Sequence, residues 1–285
     1  AAAIADLLEI KYFIDDFSTL TDFQGKPVVR SHEADEDVMT LTTTIVGRPL
    51  TAREIARKFL KSHLDYYSFL KYTKLPVRRI EYLSDDVYGL PWVQDALSKM
   101  RRTLFDSESK ETLDRVLALR RDLELDSMIV FSDRQREQYF ETFLRMGPSS
   151  TFLDVGAFDG LTTDMALLKY GSELECHLFE PGKAMVNRLQ MKFGHLKNVT
   201  IHQYGLADRR QTMSFDERGS ASKVGSGEFV IEVDALDSFG LSSVDLIKVD
   251  IEGAEELFLE GAVKTIGRCE PQVAIACYHS NAQIP

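Results

Sequence analysis

The sequence predicts an α/β protein, with a Rossmann-like sheet over its C-terminal half, helices on both faces of that sheet, and a small α/β unit and a helical connector before it. Three observations carry this. From Thr151 onward, apolar runs of strand length alternate with helical segments, the pattern of a parallel sheet joined by crossover helices. The first strand–helix junction is bent by glycines, in Asp154-Val155-Gly156-Ala157-Phe158-Asp159-Gly160. An acid, Glu180, closes the second strand of the series, where nucleotide-binding sheets place a ribose ligand.

The elements before that sheet are read in order. Ile10 to Ile14 suits a short buried strand running into Asp15-Asp16, and Gly25-Lys26-Pro27 marks a turn before Val28-Val29. Val38 to Val46, rich in Val, Thr and Ile, suits a strand. Thr51-Ala52-Arg53-Glu54 has the form of a capping box. A helix is expected beyond it through Ile55, Phe59 and Tyr66 or Tyr67, closing at Pro76. These pieces make residues 1–75 a small α/β (Rossmann-like) unit, though without a glycine-rich phosphate loop. Residues 76–146 read as a helical connector: Lys110 to Leu125 is charged with leucines interleaved. Ser132-Asp133-Arg134-Gln135 is a second capping box, with Tyr139, Phe140, Phe143 and Leu144 on one helical face and Gly147-Pro148 as its stop.

Residues 147–285 form the main domain. Its predicted strands are Thr151–Val155, Leu174–Phe179, Val199–Gln203, Val244–Val249 and Val273–Tyr278. Helices are expected over Leu161–Lys169, from Pro181 to Phe193 with the proline at the first position, and from about Ala254.

Composition narrows the function. A chain of 285 residues has room for two domains, and 44% hydrophobic residues supply an ordinary core. A formal net charge of -11 disfavours nucleic-acid binding and a polybasic membrane role. No apolar run approaches the roughly 18 residues of a membrane span. The three cysteines, Cys176, Cys269 and Cys277, match no metal spacing; Cys176 and Cys277 lie in runs that read as buried strands. The expected setting is reducing and cytoplasmic, and the N-terminus has no signal-peptide pattern. The missing initiator Met points to a processed, cut-down or partial form of the natural chain.

Four groups of residues carry the expected chemistry. Gly156 permits a tight turn and close approach of a ligand to the backbone. The helix start beyond it offers N–H groups to a carboxylate. Asp154, at the strand end, is placed to meet a cationic amino group. The arrangement is GxxxG, so it does not match the dinucleotide fingerprint GxGxxG. Glu180 is placed to accept from both ribose hydroxyls. Lys248, Asp250 and Glu252 alternate with Ile247, Val249 and Ile251, so the three charged residues share one face of an extended segment at the ligand-binding edge of the sheet. His279 follows the last predicted strand and is the side chain best suited to take a proton near neutral pH. Asp250, Glu252 and His279 have the residue types to gather a divalent metal as well, although no metal is assigned.

Taken together, these motifs resemble the FkbM-type methyltransferase family. The match begins near Ser132 with Arg136-Glu137-Gln138-Tyr139-Phe140-Glu141 and continues through residues 154–160, Phe179-Glu180-Pro181 and Gly219-Ser220-Ala221-Ser222. It runs on through Leu236-Asp237 and Ile247 to Glu255, and ends at Tyr278-His279. The resemblance implies a class I methyltransferase sheet, S-adenosyl-L-methionine as donor, and O-methylation of a sugar or secondary metabolite. Family domains continue past the last His of this pattern, so the final strands are expected to be lacking. On this reading Asp154, Gly156, Ala157, Phe158 and Gly160 hold the methionine portion and Glu180 the ribose. Asp208 bonds the adenine amine, and Tyr139 closes over the donor from a preceding helix. Asp250, Glu252 and His279 face the acceptor, a carbohydrate or natural product. An NAD(P)-dependent oxidoreductase and a non-catalytic binding protein on the same fold are the alternatives.

Overall fold

The computed structural model describes residues 8–44, 48–73, 75, 87–131, 138–216, 223–224, 229–279 and 281–284. The second capping box at Ser132, Pro76 and the Gly219–Ser222 loop lie outside these. The chain divides into two compact units, Ala1–Ser132 with Ser280–Pro285, and Asp133–His279. That division falls earlier than the 146/147 boundary read from the sequence, and both N-terminal segments belong to one unit.

In the first unit, β1 (Phe13–Ile14), β2 (Asp22–Phe23) and β3 (Lys26–Val29) form a sheet ordered β1-β3-β2, with β1 and β3 parallel. β4 (Thr40–Thr42) and β5 (His63–Asp65) pair in parallel, and α1 (Pro49–Phe59) connects them. α1 does not begin at the predicted capping box. It starts at Pro49, which has no N–H to leave unsatisfied at the first position, so Thr51 and Glu54 lie inside the helix. Nor does the helix run on to Tyr67. Pairing of His63–Asp65 with β4 overrides the local helical pattern, and a new helix, α2 (Tyr66–Tyr72), starts under an Asp65 cap whose Oδ1 accepts from Ser68 N at 2.9 Å. Asp65 also meets the buried Arg53, which pairs in turn with Asp126. α3 (Pro91–Thr103) and α4 (Ser107–Asp122) lie within the segment read as a connector and share a small core of Val93, Leu97, Leu113, Leu117 and Ile284.

The second unit is built on a five-stranded, all-parallel sheet of β6 (Thr151–Val155), β7 (Glu175–Phe179), β8 (Val199–His202), β13 (Leu246–Val249) and β14 (Gln272–Ile275), in the order β14-β13-β6-β7-β8. The chain lays strands outward from β6 on one side and from β13 on the other. A crevice therefore opens at their carboxyl ends, where such sheets bind ligands. A second sheet, ordered β11-β10-β12-β9, contains β9 (Gly205–Leu206), β10 (Gln211–Asp216), β11 (Lys223–Val224) and β12 (Phe229–Asp234). The sequence reading did not anticipate it.

Both faces of the parallel sheet are covered, and side-chain alternation divides the core in two. Phe152, Cys176, Leu178 and Leu246 face one layer with Leu189 and Phe193; Leu153, Val155, Phe179, Ile247 and Val249 face the other with Phe258. Each fully buried aliphatic or aromatic side chain contributes about 1.5–3 kcal/mol relative to exposure. α5 (Leu161–Tyr170), α6 (Lys183–Phe193), α7 (Glu255–Gly261) and α8 (Val263–Cys269) complete the unit.

Three local expectations fail here. Residues 138–146 form turns rather than a helix: Tyr139 is left-handed at φ 70°, and Phe140 anchors the segment in the core against Phe152 and Tyr170. Gly147 and Ser150 then close a turn of their own. α6 begins at Lys183, because the Gly182 N–H bonds Glu180 and Pro181 lies outside the helix. Cys277 is exposed beyond the end of β14, whereas Cys176 is buried as expected; Cys176, Cys269 and Cys277 are not joined in disulfides. Among the described residues, no helix is long and apolar enough to cross a membrane.

Candidate functional site

The carboxyl ends of β6, β7 and β13 border a cavity of about 240 Å³ in the second unit. Gly156, Phe158, Glu180, Asp250, Glu252 and Tyr278 line it, together with apolar side chains including Leu206 and Met213.

Gly156 is required at its position twice over. Its φ is 78°, and a Cβ there would run into the carbonyl oxygen of Asp250. The turn therefore lets β6 and β13 approach backbone to backbone. Gly160, at φ 77°, caps α5 against Phe193 and Leu189. Ala157 is buried. Gly160 and Ala157 shape the turn without lining the cavity.

The N–H groups of this turn are engaged within the protein. Those of Gly156 and Ala157 donate to the Phe179 carbonyl, that of Phe158 to Glu180 Oε2 at 3.0 Å, and that of Leu161 to Asp159. These particular groups, expected as anion donors, are thus bonded within the protein, and the Phe158 N–H holds Glu180. The second Glu180 oxygen, Oε1, accepts from Gly182 N at 2.8 Å. Glu180 is 7% exposed. Burial pushes its carboxyl above the usual range, and the N–H groups of Gly182 and Phe158 pull it part of the way back.

Asp154 is fully buried and does not reach the cavity. Register places it beside Lys248, and the two pair at 3.0 Å, while Thr163 Oγ1 donates to the other carboxylate oxygen at 2.8 Å. Lys248 Nζ also donates to the carbonyls of Val155 and Gly156. This pair ties β13 to the glycine turn from beneath. Lys248 thus does not share the cavity face expected from alternation with Asp250 and Glu252. The strand ends at Val249, and Glu252 sits in a left-handed conformation at φ 55°. Asp208 lies away from the cavity wall, with its carboxylate engaged by Arg209 and Gln211.

Asp250, Glu252 and His279 do come together, from the loops after β13 and β14. His279 Nε2 lies 3.1 Å from Glu252 Oε2 and 3.5 Å from Asp250 Oδ1. Tyr139 donates its hydroxyl proton to Asp250 Oδ2 at 2.8 Å, and the Tyr278 hydroxyl bonds the same carboxylate at 3.1 Å. Tyr139 thus stands behind Asp250, its ring 5.7 Å from Lys248 Nζ, and is not part of the cavity wall. On the far side of the imidazole, Glu255 Oε1 lies 3.2 Å from His279 Nδ1 and also accepts from Ile251 N. Burial alone would lower the His279 imidazole, but the bonds to Glu252 and Glu255 outweigh it and push it up to about 9. Burial and the Asp250 charge push both tyrosine hydroxyls up, so they remain donors.

The sequence reading missed Glu255 and Tyr278 as members of this cluster. Glu255 has one signal, its three-residue spacing from Glu252 at a helix start. The spacing equally suits a dipole-stabilising acid.

Residues 154–284 match the family model of the methyltransferase FkbM domain. Among solved structures, the chain is similar to the methyltransferase FkbM from Methylobacillus flagellatus KT, with 22% identity over 91% of this chain and 70% of that one, and a TM-score of 0.70. That likeness establishes the fold. A comparison with curated proteins finds no match.

Proposed function

We propose, from a methyltransferase FkbM domain over residues 154–284, that this protein moves a methyl group from S-adenosyl-L-methionine to a hydroxyl oxygen of a small molecule, a carbohydrate or natural product. One observation carries the donor assignment. Glu180, its two oxygens fixed by backbone N–H groups, stands on the same cavity wall as the Gly156 turn. A bound S-adenosylmethionine supplies an electrophilic methyl group there.

The residues fit such a donor. An ionised Glu180 has lone pairs left to accept from the two hydroxyls of a ribose. Gly156 has no side chain, so a ligand can lie against the turn, and the apolar wall of Leu206 and Met213 suits a flat base. The methionine portion would be held at Gly156 and Phe158 by close backbone approach rather than by free N–H groups of the turn. Asp154 supports that turn through Lys248.

Asp250 and Glu252 also line the cavity, and their carboxylates can accept a hydrogen bond from an acceptor hydroxyl. Alignment supplies most of the rate in such a displacement, and a placed proton acceptor adds about 10²–10⁴-fold. Isothermal calorimetry with S-adenosylhomocysteine tests the reading. We expect one site per chain. A folded sample that binds none removes the donor assignment.

A further inference from the structure

We propose that Asp250, Glu252 and His279 form a binding site for one divalent first-row transition-metal ion, with Glu255 as the residue that orients the imidazole. The inference rests on the reading above, in which this end of the cavity receives the acceptor, and names what would hold the acceptor's oxygen there.

The geometry points to it in three ways. The three residues each offer a ligand atom, and these atoms all lie within 4.8 Å of one another. His279 Nε2 is 3.1 Å from Glu252 Oε2 and 3.5 Å from Asp250 Oδ1. Ligand atoms separated by about 3–3.5 Å are what metal–ligand bonds of about 2.0–2.2 Å produce at neighbouring corners of a tetrahedron or octahedron.

The second feature is the group behind the imidazole. A metal-binding His usually donates its remaining ring N–H to a carboxylate, which sets the tautomer and the ring plane. Glu255 occupies that place: its side chain is 4% exposed, its Oε1 is 3.2 Å from His279 Nδ1, and Ile251 N holds the same oxygen at 3.1 Å. Nε2 is thereby turned toward Asp250 and Glu252.

Third, the site is open on the side where chemistry is expected. Asp250 and Glu252 line the cavity, so an ion between them and His279 would have coordination positions facing it. Tyr139 and Tyr278 hold the Asp250 carboxylate from other directions, which fixes its orientation. One imidazole with two carboxylates suits manganese, iron or zinc rather than calcium, which takes an all-oxygen set.

The test uses the full chain, stripped with EDTA and titrated with Mn²⁺ by electron paramagnetic resonance, with Zn²⁺ as competitor. We expect one Mn²⁺ per chain, displaced by Zn²⁺. Asp250→Asn, Glu252→Gln and His279→Gln should each weaken binding by about tenfold or more, and Glu255→Gln by about 10–100-fold. Circular dichroism and S-adenosylhomocysteine calorimetry on the same samples separate a lost ligand from a lost fold. A folded parent that takes up neither ion overturns the proposal, as does Mn²⁺ binding unchanged by the three ligand substitutions. Donor binding retained without metal uptake would leave the methyltransferase reading standing. Metal uptake without donor binding would instead remove that reading.

Discussion

Glu180 and Asp250 are both carboxylates on the wall of one cavity, yet they are held by different means. Backbone N–H groups of Phe158 and Gly182 fix Glu180, whereas the hydroxyls of Tyr139 and Tyr278 and the imidazole of His279 surround Asp250. The first carboxylate is placed by local chain geometry, within a strand end and two turns. The second is placed by side chains from two segments distant along the chain, one carrying Tyr139 and the other Tyr278 and His279. A site built the first way tolerates change in its surroundings. One built the second way shares the task among several partners brought together by the fold.

The largest expected effect breaks what lies beneath both ends. Lys248→Met leaves Asp154 buried without its cation, which should lower stability by about 3–5 kcal/mol in urea denaturation. The Asp154→Leu/Lys248→Met double variant should recover most of that. If the single variant is as stable as the parent, the pair is not what ties the glycine turn to β13.

Gly156→Ala comes next. Its left-handed φ and the nearby Asp250 carbonyl should together cost about 3 kcal/mol, with donor affinity falling in parallel. Full S-adenosylhomocysteine binding in this variant would mean that the turn does not shape the donor end.

Glu180→Gln addresses that end alone. Loss of a charged acceptor should weaken S-adenosylhomocysteine binding about 10–100-fold in calorimetry, and stability should fall by about 1–3 kcal/mol because the amide nitrogen cannot accept from Phe158 or Gly182. The pH dependence sharpens the same point. Burial pushes Glu180 above the ordinary carboxylate range. The carboxylate that accepts from a ribose is present above the raised value and is lost as pH falls through it. Donor affinity should therefore drop on mild acidification in the parent, and the Gln variant should show a flat profile.

The smallest effect is expected at Tyr278→Phe. Removing one hydroxyl from the partly buried Asp250 cluster should cost no more than about 1 kcal/mol in thermal unfolding and leave donor affinity within about twofold. A large loss of donor binding here would show that the two ends are not independent.

Much of this was legible in the chain itself. Alternating apolar runs from Thr151 gave the strands and helices of the parallel sheet, and two-sided burial explains why the runs are continuous. Gly156, Gly160 and Glu180 announce themselves because turn geometry and strand ends are local properties. Proximity of Asp250, Glu252 and His279 followed from their places at neighbouring strand ends.

The tertiary structure decided the rest, for reasons of range. Whether Asp154 met a ligand or Lys248 depended on strand register, which no local pattern encodes. Whether residues 138–146 coiled as a helix depended on the core into which Phe140 sinks. Tyr139, Tyr278 and Glu255 joined the cluster around Asp250 and His279 through contacts across the fold, with Tyr139 lying far from Asp250 along the chain. Residue type and spacing set which groups can act in this protein. Packing set which of them meet, because the free energy of a buried charge is determined by partners that only the folded chain supplies.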